Sequence, residues 1–350
     1  MKALTLEKVG QLILKEKPVP ELEAGMVLVK ILACGICSSD IPRVFKTGTY
    51  HFPTVPGHEF SGVIVEVAPD VKRELIGRKV VVFPLLPCKN CPSCLIGEYA
   101  RCDHYNYFGS RCDGGFQEYI AVPTWNLVFC PDEMPPTLAA LCEPVAVAKH
   151  CIDAGDIHIG ENVLVVGTGT IGLAAALWAK INGAQKVIVA GRSSRKLDFA
   201  KSLGIDVVVN SDSEDYENEI LKVTENRGVD VAFECVGSSS AIRTAIVSAK
   251  KGGRVILTGN PDGDITLSKP VYWKILRNEL TIRGTWNSTY KGQHDDWSVV
   301  IHFLLNEGYP FGKLITHVFA LEDYEKAFAT VRSSDAFSIK VMLAIEEKMK

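Results

Sequence analysis

The chain lacks a long unbroken hydrophobic run, a strong net charge and any repeat. Its 350 residues are 23% charged, yet the balance is only −3. Such a balance builds no basic face for nucleic acid and no pull toward an anionic membrane surface. The most apolar stretch, Val163 to Ala179, is interrupted by Gly167, Gly169 and Gly172 and is slightly short for a membrane span. The opening residues, Met1 to Gly10, carry no apolar core of a secretory signal. No internal repeat and no low-complexity tract occurs. These absences lead to the expectation of a soluble cytoplasmic protein with neither nucleic acid nor membrane as partner. The hydrophobic content of 47% is ordinary for a globular protein, and the length suits two domains.

A disulfide framework is also missing. The eleven cysteines are odd in number and mostly scattered, which fits a reducing compartment. Four of them are not scattered: Cys88-Lys-Asn-Cys91-Pro-Ser-Cys94 and Cys102 stand at spacings of two, two and seven residues. Four thiolates in one short loop suit a tetrahedral Zn²⁺, and four protein ligands leave no open position. This lobe, residues 84–104, is therefore read as structural, and the chemistry must lie elsewhere.

The texture of the chain changes near residue 145. Before it, short β-branched runs bounded by Gly or Pro predict strands: Met26 to Leu32, Gly62 to Val67, Lys79 to Phe83 and Gly114 to Val122. After it, apolar runs alternate with helical stretches. Strands are expected at Val163–Val166, Lys186–Ala190, Asp206–Val209, Val229–Glu234, Gly253–Thr258 and Leu280–Arg283, with helices at Thr170–Ile181 and Ser194–Leu203. This is the βαβ pattern of an α/β fold with a doubly wound parallel sheet. Beyond residue 285 the pattern is mixed, with helices near 297–306 and 321–330 and a last strand at 337–343. The expected division is 145–284 for the parallel-sheet domain, with 1–144 and 285–350 forming the other.

Gly167-Thr168-Gly169-Thr170-Ile171-Gly172 follows a predicted strand and opens a predicted helix. In that context it is a dinucleotide fingerprint. Gly167 permits the turn, Gly169 admits the pyrophosphate, Gly172 packs helix on strand, and Thr170 and Ile171 begin the helix whose N-terminus meets the phosphates. At the end of the next strand an NAD enzyme usually carries an acid for the ribose hydroxyls. Here the residues are Gly191-Arg192-Ser193-Ser194-Arg195-Lys196. With no carboxylate to repel it, a 2′-phosphate has room at Gly191 and a fork at Arg192, with Ser193 and Arg195 beside it. NADP is the favoured cofactor and NAD the alternative.

Cys34-Gly-Ile-Cys37-Ser-Ser39-Asp40, then Gly57-His58-Glu59-Phe-Ser-Gly62, then the four-cysteine lobe, then the glycine fingerprint occur in that order. Together they resemble the medium-chain zinc alcohol dehydrogenase superfamily over essentially the whole chain. Glu143-Pro144 resembles its polyol branch, where a glutamate replaces a cysteine ligand. The stretches Ser39 to Lys46, Pro84 to Cys88, Phe108 to Phe116 and Cys142 to Pro144 carry the same likeness. The resemblance implies a Rossmann dinucleotide domain and a β-rich GroES-like catalytic domain, with two zinc ions per chain. Cys37, His58 and Glu143 would hold the catalytic zinc, with Glu59 a ligand or an exchanging neighbour and Asp40 behind His58. A thiolate, an imidazole and a carboxylate can hold zinc and leave one position open. The implied reaction is hydride transfer from a secondary alcohol to NAD(P), with Ser39 taking the hydroxyl proton. Two positions depart from the wider family: Pro42 stands where many members have a relay histidine, and Ser38 where others have a phosphate-facing arginine.

Arg43 and Lys46, and more weakly Arg111, are candidates to bind a substrate phosphate. The expected substrate is a sugar-alcohol phosphate, oxidised to a ketose phosphate. Free polyols or simple secondary alcohols are the alternative. A zinc-free quinone-type reductase would not need Cys37, His58 and Glu143, and a non-catalytic NADPH-binding protein would show one zinc and no turnover. The resemblance also implies a homodimer or homotetramer joined through the edge strand Leu280–Arg283.

Overall fold

The computed structural model describes residues 1–291, 295–306, 308–333 and 335–345. The chain divides into two compact units. The first is Met1–Glu143 with Thr289–Glu307 and Ile315–Lys350; the second is Pro144–Ser288 with Gly308–Leu314. The sequence places all of 285–350 in the first unit, but 285–288 and 308–314 fall in the second. The segment 308–314 does so because Phe311 and Leu314 are fully buried and the Phe311 ring packs at a tilt 5.0 Å from that of Trp178.

The first unit is built on one long strand, Met26–Ile36. Its β-branched and aliphatic residues are nearly all buried because it has neighbours on both sides. Glu59–Val67 pairs antiparallel along one edge. On the other edge Tyr119–Pro123 covers the first half and Lys340–Ala344 the second. Lys79–Val82 and Leu127–Phe129 extend the sheet beyond Glu59–Val67, and Ile315–Ala320 lies parallel to the last strand at the far edge. The N-terminal hairpin, Lys2–Lys8 with Gln11–Glu16, stands apart from this sheet in strand pairing. Val27, Ile31, Phe60, Ile64, Phe116 and Leu343 belong to a single apolar core.

Register decides what this sheet presents. Gly35 lies opposite Glu59 on one side and Met342 on the other, and Ile36 opposite Val341. Cys37, Glu59 and Lys340 therefore emerge at one end of three adjacent strands. Gly35 is obligatory there, because a Cβ would overlap the Glu59 carboxylate.

The second unit carries a six-stranded parallel sheet. Its spatial order is Val207–Asn210, Lys186–Gly191, Asn162–Val166, Val229–Glu234, Ala249–Leu257 and Thr281–Gly284. In chain order this is third, second, first, fourth, fifth, sixth, the doubly wound arrangement of dinucleotide-binding domains. The order reverses between Asn162–Val166 and Val229–Glu234. Both strands are almost wholly buried, as a sheet covered on both faces requires. The last strand, Thr281–Gly284, is exposed along its length. Among the described residues, no helix is long and apolar enough to cross a membrane.

Candidate metal centre and nucleotide site

The four-cysteine lobe closes as its spacing predicts. One sulfur or ligand atom from each of Cys88, Cys91, Cys94 and Cys102 lies within 4.8 Å of the others. The short helix Pro92–Leu95 turns Cys94 back toward Cys88, at 4.0 Å sulfur to sulfur, and the Cys88 N–H donates to the Cys102 sulfur at 3.2 Å. A backbone N–H at Asn90, helped by one at Cys91, brings the Cys88 thiol down to about 7. Burial and the adjoining sulfurs push Cys94 up to about 12. Four crowded thiols with opposed tendencies are a donor set that a soft divalent cation satisfies by taking all four as thiolates.

A second cluster gathers at the strand ends. Cys37, His58 and Glu59 each place one ligand atom within 4.8 Å of the other two, and His58 and Glu59 are buried. Asp40, fully buried, lies behind them. Its Oδ2 accepts the Cys37 N–H at 2.9 Å, and its Oδ1 lies 3.6 Å from His58 Nδ1. That second distance is an ion-pair contact, longer than a hydrogen bond. No hydrogen-bond partner meets Nδ1, and a ring nitrogen of His58 is among the converging ligand atoms. Burial alone would raise Asp40, but His58 and Arg43 hold it below the ordinary aspartate value. Burial likewise opposes a charged His58, and Asp40 with Cys37 lifts it well above the ordinary histidine value. Thiol, imidazole and carboxylate converging on one point fit a zinc ion.

Glu143 does not join that compact set. It begins the helix Cys142–Ala154, is buried, and accepts from Tyr107 Oη at 3.4 Å. Burial, with Glu59 adding to it, pushes its carboxyl up to about 7 against His58, Lys340 and Tyr107. Arg43 makes its side-chain contacts within its own loop. Its NH1 donates to Ser39 Oγ at 3.0 Å and to Asp40 Oδ1 at 3.2 Å. The turn after Cys37 puts Ser39, Asp40 and Arg43 within one helical reach of each other, so the guanidinium folds back on its own loop. Arg111 lies between two tyrosines, 4.3 Å from the Tyr50 ring and 4.4 Å from that of Tyr105, and donates to Tyr50 Oη at 3.2 Å. Lys46 sits in the last turn of the same short helical segment, Arg43–Thr47.

Two residues of this cluster escape sequence reasoning. Lys340 donates to both carboxylate oxygens of Glu59, at 2.7 and 2.6 Å, although 281 residues separate them. Burial opposes its charge, but Glu59 and the thiol of Cys37 hold the ammonium above the ordinary lysine value. Tyr107 packs its ring 5.7 Å from that of His58. The only sequence hint for Lys340 is a lysine opening an otherwise apolar strand.

In the second unit Gly167 follows the strand Asn162–Val166 with φ of +125°, a conformation that favours glycine. A Cβ at Gly172 would overlap the Gly167 carbonyl. Gly169 caps the helix Thr170–Ile181 without any side-chain cap, and a Cβ there would point into open space. That opening over a helix N-terminus fits a dinucleotide pyrophosphate. Glu234, unanticipated from sequence, ends the neighbouring strand and accepts the N–H groups of Val236 and Gly237, each at 2.7 Å, so it shapes the loop against Gly167. Gly191 ends its strand, where a Cβ would come 2.5 Å from the Thr168 methyl; its smallness serves this packing as well as any ligand. Arg192, Ser193 and Arg195 are exposed, and Ser193 caps the helix Ser194–Ser202.

Comparison with known proteins agrees with this geometry. Residues 23–132 match the alcohol dehydrogenase GroES-like domain, and residues 170–306 match the zinc-binding dehydrogenase family. Galactitol 1-phosphate 5-dehydrogenase of Escherichia coli K12 is 35% identical, over 98% of this chain and 99% of its own. L-threonine 3-dehydrogenase of Pyrococcus horikoshii is 33% identical over 94% of each. The crystal structure of galactitol-1-phosphate dehydrogenase from Escherichia coli superposes with a TM-score of 0.91 at 34% identity, covering 99% of this chain and all of the other. A zinc-binding dehydrogenase from Sinorhizobium meliloti 1021 bound to NADP (TM-score 0.89, 28% identity, 98% and 99% covered) is also similar. So is a short chain alcohol dehydrogenase from Escherichia coli CFT073 with NADH (0.90, 30%, 99% of each). The chain belongs to the zinc-dependent medium-chain alcohol dehydrogenases. It is an oxidoreductase of CH–OH groups that uses zinc and a nicotinamide cofactor.

Proposed function

We propose that the substrate is a polyol phosphate, oxidised at a secondary hydroxyl to a ketose phosphate, with NADP as the favoured acceptor. The observation that carries this reading is the full-length likeness to a dehydrogenase of a phosphorylated polyol. The buried Glu143 beside Tyr107 supports it, standing where the resemblance puts a polyol-branch glutamate. A zinc ion would supply Lewis acidity toward the hydroxyl, and the nicotinamide a hydride acceptor. Cys37 and His58 would hold the metal, with Glu59 close by and Glu143 reaching it directly or through water. The four lobe cysteines would hold a second, structural zinc.

The chain's own residues handle orientation and the proton. Asp40 faces the Nδ1 side of His58 at 3.6 Å and favours this ring orientation electrostatically. A serine oxygen has two lone pairs. Arg43 donates to one on Ser39, which fixes the side chain, and the other can accept the substrate's hydroxyl proton while Ser39 gives up its own O–H proton. Pro42 carries no imidazole, so the proton leaves Ser39 for water. Arg43, Lys46 and, more weakly, Arg111 stay the candidates for the substrate phosphate, since the contacts of Arg43 use only its NH1. Arg192 is the candidate for the cofactor's 2′-phosphate, with Ser193 and Arg195 next to it. Free cysteines throughout the chain fit a reducing, cytoplasmic setting.

The test is initial-rate oxidation of polyols with and without a terminal phosphate, and of L-threonine, each with NADP⁺ and NAD⁺. Turnover confined to a phosphorylated polyol is expected, with NADP⁺ preferred and Arg192→Ala weakening NADP⁺ at least tenfold more than NAD⁺. Turnover of unphosphorylated polyols alone, or of threonine, would overturn the substrate reading. An unchanged cofactor ratio in Arg192→Ala would overturn the NADP assignment.

A further inference from the structure

Lys340 is the least expected member of the metal cluster. It is 3% exposed and comes from the opening of the last strand, which register sets beside Ile36. An ammonium has three donors. Here they meet Glu59 Oε1 at 2.7 Å, Glu59 Oε2 at 2.6 Å and the Ile36 carbonyl at 3.2 Å. Glu59 is thus gripped by both oxygens, in a groove that exists only because Gly35 has no side chain. Yet Glu59 also lies within ligand range of Cys37 and His58. One carboxylate is claimed from two sides, by a fixed cation already paired to it and by the metal position.

We propose that Lys340 is a positioning residue that holds Glu59 off the metal, so that a coordination position stays open for substrate. This inference rests on the zinc-site reading above but not on the identity of the substrate. Electrostatics gives it a sign. A carboxylate paired with an ammonium is a weaker donor to a second cation than an unpaired one. Removing Lys340 leaves a buried carboxylate without its paired ammonium, with the metal position within ligand range of it. Glu59 should move into the coordination sphere. A residue that merely braced the fold would act the other way, since its loss would loosen the site and release metal faster.

The experiment compares wild type, Lys340→Met, Lys340→Arg, Glu59→Gln and the double variant Lys340→Met/Glu59→Gln. Each is loaded with metal, and release to a chelator is followed. Co²⁺ exchanged into the Cys37 centre gives a second reading through its d–d absorption. In Lys340→Met, release from this centre should slow about tenfold, the scale expected of groups behind a metal's ligands. The Co²⁺ spectrum should shift with the added oxygen ligand. Lys340→Arg should behave as wild type. With Glu59 neutralised, adding Lys340→Met should change nothing further, and this arm remains readable if the single variant folds poorly. Faster or unchanged release with an unaltered spectrum in Lys340→Met would overturn the proposal. So would an equal effect of Lys340→Met in the Glu59→Gln background. If only one metal binds wild type, the metal-centre reading itself fails and takes this inference with it. If two bind and no polyol phosphate turns over, the substrate reading fails alone.

Discussion

Single residues of the metal cluster divide by how they are reached. Cys37, His58 and Glu59 carry chemistry in short local motifs, and the structure brings their ligand atoms together. Arg43 has the right charge for a phosphate, but composition says nothing about where a guanidinium folds, and here it turns back on Ser39 and Asp40. Glu143 supports a pH prediction. Its carboxyl is held at about 7, against 4.5 for an ordinary glutamate, chiefly by burial. Between those values the folded chain holds a proton that the unfolded chain has released, so stability must fall as pH rises through that window. The contribution is on the order of 3 kcal/mol. In metal-free protein, Glu143→Gln should remove this part of the slope between pH 4.5 and 7. Denaturation midpoints of both proteins across that range measure it, and identical slopes would show that Glu143 is ionised throughout.

Among the elements, the four-cysteine lobe is the most self-contained. It has little apolar core beyond its own cysteines and the rings of Tyr99 and Tyr105. The metal must then supply much of its order, as in small zinc modules. Cys94→Ser should lose one metal per chain and make residues 84–104 open to protease, while dinucleotide binding by the second unit persists. Metal counting, limited proteolysis and cofactor titration check the three parts. Intact protease resistance after the loss of that metal would mean that packing suffices. The strand–turn–helix of Gly167 to Gly172 is equally local, and both its turn and its helix, Thr170–Ile181, stand where the sequence predicts them.

At the scale of the whole molecule, the parallel sheet ends on Thr281–Gly284, an exposed edge. Two residues beyond it Trp286 is 53% exposed, and Ile282 within it is 38% exposed, apolar surface that a sheet edge seldom leaves in water. The expected homodimer or homotetramer would cover it with the same strand of a second copy. Ile282→Lys places a charge on that edge and should shift the protein to monomers. Analytical ultracentrifugation reads the mass, and an unchanged oligomer would place the contact elsewhere.

Some of this protein is written locally. A βαβ rhythm, a glycine turn, four cysteines in fifteen residues and the Cys37 and His58 motifs each depend on neighbours along the chain, so the amino-acid sequence alone determines the fold class and the glycine turn and points to the candidate metal ligands. Other features depend on register between distant strands. Lys340 meets Glu59 because Lys340–Ala344 pairs with Met26–Ile36, and Ile36 with Val341. Tyr107 reaches His58 and Glu143 from the short strand Asn106–Tyr107, and Phe311 reaches Trp178 across more than a hundred residues of chain. Nothing in local composition encodes such meetings. They follow from which edges pair and at what offset, and only the tertiary structure decides that.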